Sequence, residues 1–136
     1  PPQSLCMADL AQESLILPTG PHGLRSTLNA AFARANVTPQ VTLEIDSLAM
    51  LMDAVKSGLG GTLQPWAAVS RMGPERDQLY MARITDHQVK RVNLLCGLSD
   101  DELSPAALAT RVVLADCARA LVQGGVWLGA AISPIA

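Results

Sequence analysis

LILPTGPHGLRSTLNAAFARANVTPQVTLEIDSLAMLMDAVKSGLGGTLQP, residues 15–65 of this 136-residue chain, alternates between two hydrophobic periods. Three strands are predicted: a short apolar run at residues 15–17, alternating apolar and polar residues at 41–45, and the short segment 61–64. Between them, apolar residues recur at helical spacing over residues 24–35 and again over residues 48–55. The order is β-α-β-α-β, and such units wind right-handedly into a parallel sheet. This stretch therefore predicts an α/β fold.

The second half of the chain is less regular. Residues 79–84 and 89–96 predict two further strands, on either side of a polar turn. Ser104 and Pro105 form an N-cap followed by proline at the first helical position. A long helix should run from there to about Gln123 and end at two glycines. This last unit has too few strands of its own to bury the helix.

Composition argues against several functional classes. The formal net charge is −2 and the basic residues are scattered, which argues against a nucleic-acid surface. Three cysteines cannot all pair within one chain, so free thiols in a reducing compartment are predicted. The sequence shows neither a signal peptide nor a membrane-spanning run. We therefore expect a cytoplasmic protein that does not enter a membrane.

Three loops follow the predicted strands: residues 18–23, residues 46–47 and residues 64–65. Ligands of open parallel sheets bind outside the carboxyl ends of the strands. The first loop offers glycines for close backbone approach, the hydroxyl of Thr19, and Pro21, which suits a first helical turn. A helix N-terminus adds free N–H groups and the positive end of the dipole, so these loops predict a seat for a carboxylate or a similar anion.

Each of these features also has a simpler explanation. Thr19 or Gly20 could only cap the first helix, and Asp46 with Ser47 could do the same for the second. His22 is expected to face solvent, because no partner stands at triad-like or metal-like spacing from it. The residues therefore predict no catalytic set, no metal site and no cofactor.

Three segments of the chain occur in an order that is familiar from one family. LILPTGPHGLR at residues 15–25 is similar to LPLILPSRPHGLR, and Gly58-Leu59-Gly60 followed by Pro65 matches GLGxxxLP. GGVWLGAA at residues 124–131 matches the ending GxWxGA. The resemblance that these segments carry extends over most of the chain from Asp9 onward. The chain thus resembles the effector-binding domain of LysR-type transcriptional regulators, in the branch of nitrogen-assimilation and aromatic-degradation regulators.

The resemblance implies two α/β subdomains that face each other across a cleft, as in periplasmic binding proteins, with a small co-inducer between them. It assigns residues 1–84 to the second subdomain, and residues 85–136 to the crossover strand and C-terminal helix of an incomplete first subdomain. DNA would be contacted only through a missing N-terminal domain that carries the winged helix-turn-helix. Self-association is expected, because full-length relatives pair these domains and the long helix should leave apolar surface exposed.

The match also assigns the effector-contacting positions. They fall on Pro18, Thr19, Gly20, Asp46, Ser47, Gln64 and Pro65. Thr19 keeps the hydroxyl of the serine that is common in the family, whereas Gly20 replaces the commoner arginine. We expect a small anionic effector: an organic acid, an aromatic acid or an oxyanion. Asp46 would oppose such a ligand unless its side chain turned back to cap its own helix.

Two other classes of protein occur with this architecture. A solute-binding domain of a transport system has the same architecture, but such a domain is expected to have a signal peptide and paired or absent cysteines. An enzyme on this fold would need a convergent acid, base or metal set, which the residues do not suggest. The residue matches favour the ligand-sensing module of a cytoplasmic transcription factor.

Overall fold

The computed structural model of the chain describes residues 3–70 and 72–133, which divide into two compact units. The first unit contains residues 3–64 and 72–91, and the second contains residues 65–70 and 92–133. The first unit holds two of the strands and both of the helices that the repeating β-α pattern predicts. Its elements in chain order are β1 (Ser4–Leu5), a 3-10 helix (Met7–Leu10), β2 (Ser14–Leu17), α1 (Gly23–Arg34), β3 (Gln40–Glu44), α2 (Leu48–Lys56), a second 3-10 helix (Gly73–Gln78) and β4 (Arg83–Ile84).

The strands of the first unit pair in parallel, and the crossover through α1 accounts for this in β2 and β3. β2 pairs with β3, and β1 pairs with β4. The register of β2 and β3 shifts between Leu15 and Ile16, opposite Thr42, whose hydroxyl donates to the Leu15 carbonyl oxygen at 3.2 Å. The α/β fold class and the β-α-β-α order are therefore confirmed.

Residues of α1 and β2 form most of the core of the first unit. Four apolar residues of α1 are buried at the helical spacing seen in the sequence: Leu24, Leu28, Ala31 and Phe32. The three apolar residues of β2 are buried as well. Burial of one stripe of the helix against the strand is what holds the two loops after β2 and β3 in place.

The third predicted strand, at residues 61–64, is reduced to one bridge. Gly61 pairs with Leu15 in parallel, and the Ile16 N–H donates to the Gly61 carbonyl oxygen at 2.8 Å. Beyond Gly61 only three residues remain before Pro65, which has no N–H to donate to a ladder. The strand prediction is therefore correct in place and direction but wrong in length.

The predictions for residues 79–96 are largely wrong. Of residues 79–84 only β4 is paired, and its partner β1 was not foreseen. The polar residues before β4 form the 3-10 helix Gly73–Gln78. Residues 89–96 form no strand in the described part of the chain, where no neighbouring strand takes up their backbone groups. Apolar residue types alone do not make a strand without that partner.

The second unit contains α3 (Ala67–Ser70) and the long α4 (Pro105–Gln123). As predicted, the Ser104 hydroxyl caps α4 by accepting from the Ala107 N–H at 3.2 Å, and Pro105 opens the helix. α4 ends at Gly124, and Gly125 takes the left-handed conformation with φ of 68°. No residue of α4 is buried.

Candidate functional site

Thr19 and Asp46 lie together at the carboxyl ends of β2 and β3. The Ile45 N–H donates to the Leu17 carbonyl oxygen at 3.0 Å, so the two strands end side by side. From there the Thr19 N–H donates to Asp46 Oδ1 at 2.9 Å. The Thr19 hydroxyl lies 3.0 Å from Oδ1 and 2.8 Å from Oδ2 of the same carboxylate. Two loops that are 27 residues apart in sequence thus share one cluster of hydrogen bonds.

The Asp46 carboxylate does not cap its own helix. Ser47 does so instead: its Oγ accepts from the Met50 N–H at 3.5 Å, and its carbonyl oxygen accepts from the Leu51 N–H at 2.9 Å. Hydrogen bonds from the backbone and then the hydroxyl of Thr19 lower the pKa of Asp46. The carboxylate is therefore ionised at neutral pH.

The cap of α1 is His22, and not Thr19 or Gly20 as the sequence suggested. His22 Nδ1 accepts from the Leu24 N–H at 3.2 Å, and the His22 carbonyl oxygen accepts from the Ser26 N–H. The helix consequently begins at Gly23, so Pro21 lies before the cap and outside the first turn. Histidine is rarely expected as an N-cap residue, and Thr19 is already engaged by Asp46; these two facts explain the error.

Arg25, in the first turn of α1, ties the loop to both of its neighbours. Its Nη1 donates to the Pro18 carbonyl oxygen at 2.8 Å and to Glu44 Oε1 at 2.6 Å. Its Nε donates to Asn29 Oδ1 at 3.0 Å, one turn further along the helix. Pro18 itself is buried. This role of Arg25 is not predicted by the hydrophobic pattern; its spacing of four from Asn29 on one helix face was the available signal.

Free hydrogen-bond donors remain at the N-termini of both helices. In the described part of the chain, the N–H groups of Gly23, Leu48 and Ala49 have no protein acceptor. The positive charge of Arg91 lies near Gly23: its Nη2 is 3.6 Å from the position that a Cβ on Gly23 would take. A Cβ on the exposed Gly20 would meet nothing within 4 Å. This edge of the sheet is open and rich in donors.

Gln64 and Pro65 are not brought to this cluster by any described contact. Gly61 pairs with β2 through Ser14 and Ile16, whereas β3 pairs through the alternate residues, so the two segments lie on opposite edges of β2. Gln64 Nε2 lies 3.5 Å from Thr62 Oγ1, a long hydrogen bond within its own segment. Pro65 belongs to the second unit. The assignment of these two residues to the site stays a prediction.

Other parts of the described chain offer less. Residues 3–70 and 72–133 contain no cluster of three or more His, Cys, Asp or Glu side chains that could hold a metal ion. They also contain no helix long and apolar enough to cross a membrane. The second unit has an open cavity of about 270 Å³ on one face of α4, lined by Leu95, Cys96, Gly97, Leu103, Ala107, Thr110, Arg111 and Leu114.

Comparison with known proteins points to one family. The model of the LysR substrate binding domain matches residues 2–118. The chain is similar to the nitrogen assimilation regulatory protein nac of Klebsiella aerogenes, with 28% identity over 114 residues. It is also similar to the nitrogen assimilation regulatory protein nac of Escherichia coli (strain K12), with 31% identity over 114 residues. These alignments cover 84% of this chain and 37% of each relative. The chain belongs to the LysR substrate-binding domain family.

Proposed function

We propose that this chain senses a small anionic effector for a LysR-type transcriptional regulator, and that the anion binds at the carboxyl ends of β2 and β3. The observation that carries the proposal is the pair of helix N-termini at this edge, where Gly23, Leu48 and Ala49 present free N–H groups. Both helix dipoles favour negative charge there. The guanidinium of Arg91 adds a positive charge beside Gly23. An organic acid, an aromatic acid or an oxyanion fits these donors.

The two relatives named above are regulatory proteins, which supports a role in transcription and not in catalysis or transport. The chain spans about 37% of their length, so DNA binding is assigned to a separate N-terminal domain. A net charge of −2 agrees with a domain that does not bind DNA itself. Because a regulator of this kind acts on DNA, we place it in the cytoplasm.

For the organisation of the domain, we propose that residues 1–84 form the second subdomain of the family fold and that residues 85–136 are the returning part of the first. The long α4, which has no buried residue, supports this assignment, because an amphipathic helix of this length normally packs on a sheet. The effector contacts proposed for Pro18, Gly20, Gln64 and Pro65 belong to the same scheme.

Sodium benzoate is expected to bind the wild-type chain at the proposed site. In amide NMR spectra at pH 7, benzoate should shift the resonances of Gly23, Leu48 and Ala49 in a saturable manner. Benzamide, which has the same ring but no charge, should shift them far less, because hydrogen bonds to a charged group contribute about 1.5–3 kcal/mol against about 1 kcal/mol for neutral ones.

The N-terminus of α4 provides the internal control for this titration. The Ala106 N–H is also a free donor in the first turn of a capped helix, but no second helix terminus accompanies it in the described contacts. Equal shifts at Ala106 and Gly23, or equal effects of benzoate and benzamide, would contradict the proposed anion site.

Self-association of the 136-residue chain is expected. α4 and the residues before it expose several large apolar side chains: Val92, Leu94, Leu95, Leu98, Val112, Val113 and Leu114. Surfaces of this kind are normally covered by a partner. Light scattering should give a mass that rises with concentration, and Val113→Glu should lower it toward the monomer. A monomeric mass for the wild-type chain across the whole concentration range would refute this prediction.

A further inference from the structure

We propose that Asp46 determines the ligand specificity of this site by competing with the ligand: its carboxylate occupies the donors of Thr19, and an incoming anion must displace it. The inference rests on the proposed function, because it concerns how the proposed effector gains access to the site. It assigns to Asp46 the role of an internal anion, and not that of a direct ligand contact.

The hydrogen-bond geometry sets up the competition. The Thr19 N–H and hydroxyl each have one proton to donate, and both protons point to the same carboxylate at 2.8–3.0 Å. A second carboxylate at this distance would place two negative charges side by side. The ligand and Asp46 therefore bind Thr19 one at a time. The remaining donors at Gly23, Leu48 and Ala49 stay open to the ligand in either case.

Displacement of Asp46 leaves the surrounding structure intact. Asp46 is exposed, so its carboxylate can rotate into water without opening the core. Ser47 caps α2 by itself, and Arg25 holds the Pro18 carbonyl oxygen from the other side. The exchange is consequently a rotation of one side chain.

The competition selects ligands by charge. Charge-assisted hydrogen bonds are roughly twice as strong as neutral ones, so a neutral acceptor cannot replace the Asp46 carboxylate at Thr19, whereas a carboxylate or an oxyanion can. If the displaced state holds about a tenth of the free protein, the apparent affinity for an anion is about tenfold weaker than the intrinsic affinity. Removal of the Asp46 carboxylate should therefore raise the apparent affinity for an anion by about the same factor.

Two substitutions at Asp46 separate competition from simple charge repulsion. Benzoate is titrated into the wild type, Asp46→Asn and Asp46→Ala at pH 7, with the Thr19 amide resonance as the readout. Asn keeps an oxygen acceptor for Thr19, whereas Ala keeps none. Competition predicts that Ala binds benzoate about tenfold more tightly than the wild type, with Asn in between. Repulsion alone predicts equal gains for Asn and Ala, because both remove the same charge.

A double-mutant cycle with Thr19→Val provides a second test. In the wild type this change removes a hydrogen-bond donor that both Asp46 and benzoate would use. The benzoate affinity should therefore change by less than about threefold. In the Asp46→Ala background only the ligand loses the hydroxyl, and the affinity should fall by about tenfold or more. The two effects of Thr19→Val should therefore be strongly non-additive.

The outcomes distinguish this inference from the proposed function. Equal benzoate affinity in all three Asp46 proteins, or equal gains for Asn and Ala, overturns the competition and leaves an anion site in place. If benzoate shifts no resonance of this edge in any variant, both the proposed anion site and the proposed competition are refuted. Tighter binding in the order Ala, Asn, wild type supports both.

Discussion

Leu17→Ala is expected to lower the free energy of unfolding by about 2–5 kcal/mol, because the side chain is fully buried and its loss leaves a cavity in the core. Leu17 is the last residue of β2 and lies directly before the loop of the candidate site. Its carbonyl oxygen also accepts the hydrogen bond from Ile45 that aligns the two strand ends. A typical domain has a total stability of only about 5–15 kcal/mol, so this substitution removes a large share of it.

Leu43→Ala is the matched control, since Leu43 lies on the paired strand β3 and is 39% exposed. It should cost less than about 1.5 kcal/mol, because much of its apolar surface already faces water. Urea unfolding followed by circular dichroism gives both values. A cost for Leu43→Ala as large as that for Leu17→Ala would show that β2 does not form the centre of the core.

Gly60→Ala is expected to lower the free energy of unfolding by about 1–3 kcal/mol through overpacking. A Cβ at this position would lie 2.7 Å from the Ser14 carbonyl oxygen and 3.2 Å from Ile16 Cγ1. The first of these is a backbone atom that is fixed by the Gly61 N–H, which donates to it at 2.9 Å. Relief of the clash must therefore move the segment away from β2 and break the bridge.

Gly61→Ala, one residue further, should have the opposite sign. A Cβ there meets only Leu15 Cδ2 at 4.0 Å, which is an ordinary contact, and Gly61 does not take a positive φ. Replacement of glycine at such a position stabilises by about 0.4–1 kcal/mol, because the unfolded chain loses freedom. Thermal unfolding of the two variants beside the wild type tests the contrast. If both variants destabilise equally, the close approach of Gly60 to β2 is not the cause.

The sequence predicted the parts of the fold whose signal is local. α1 and α2 have apolar residues at helical spacing, and Ser47 and Ser104 are ordinary N-cap residues that the structure confirms as caps. The meeting of Thr19 and Asp46 also follows from the order of elements, because parallel neighbouring strands end at the same edge.

The features that the sequence did not predict depend on partners distant in the chain. A strand at residues 89–96 needs a neighbour for its backbone groups, and the pattern of apolar residues does not reveal whether one is present. The direction of the Asp46 side chain depended on whether Thr19 or the N-terminus of α2 offered the better donors. In the structure, Thr19 supplies two donors and Ser47 already serves the helix. The choice of His22 as a cap follows from the same competition.

Arg25 has a mechanical consequence for the whole edge. One guanidinium nitrogen holds a loop carbonyl and a carboxylate of β3 together, while the guanidinium stem rises from the first turn of α1. Arg25 thereby links the end of β3, the loop after β2 and the first turn of α1. We therefore expect that a ligand which displaces the Pro18 peptide also displaces α1, a helix of 12 residues. Lysine would not make the contact to Asn29 at the same time, because its single ammonium lacks the rigid planar fork through which Nε and Nη1 of arginine donate in different directions.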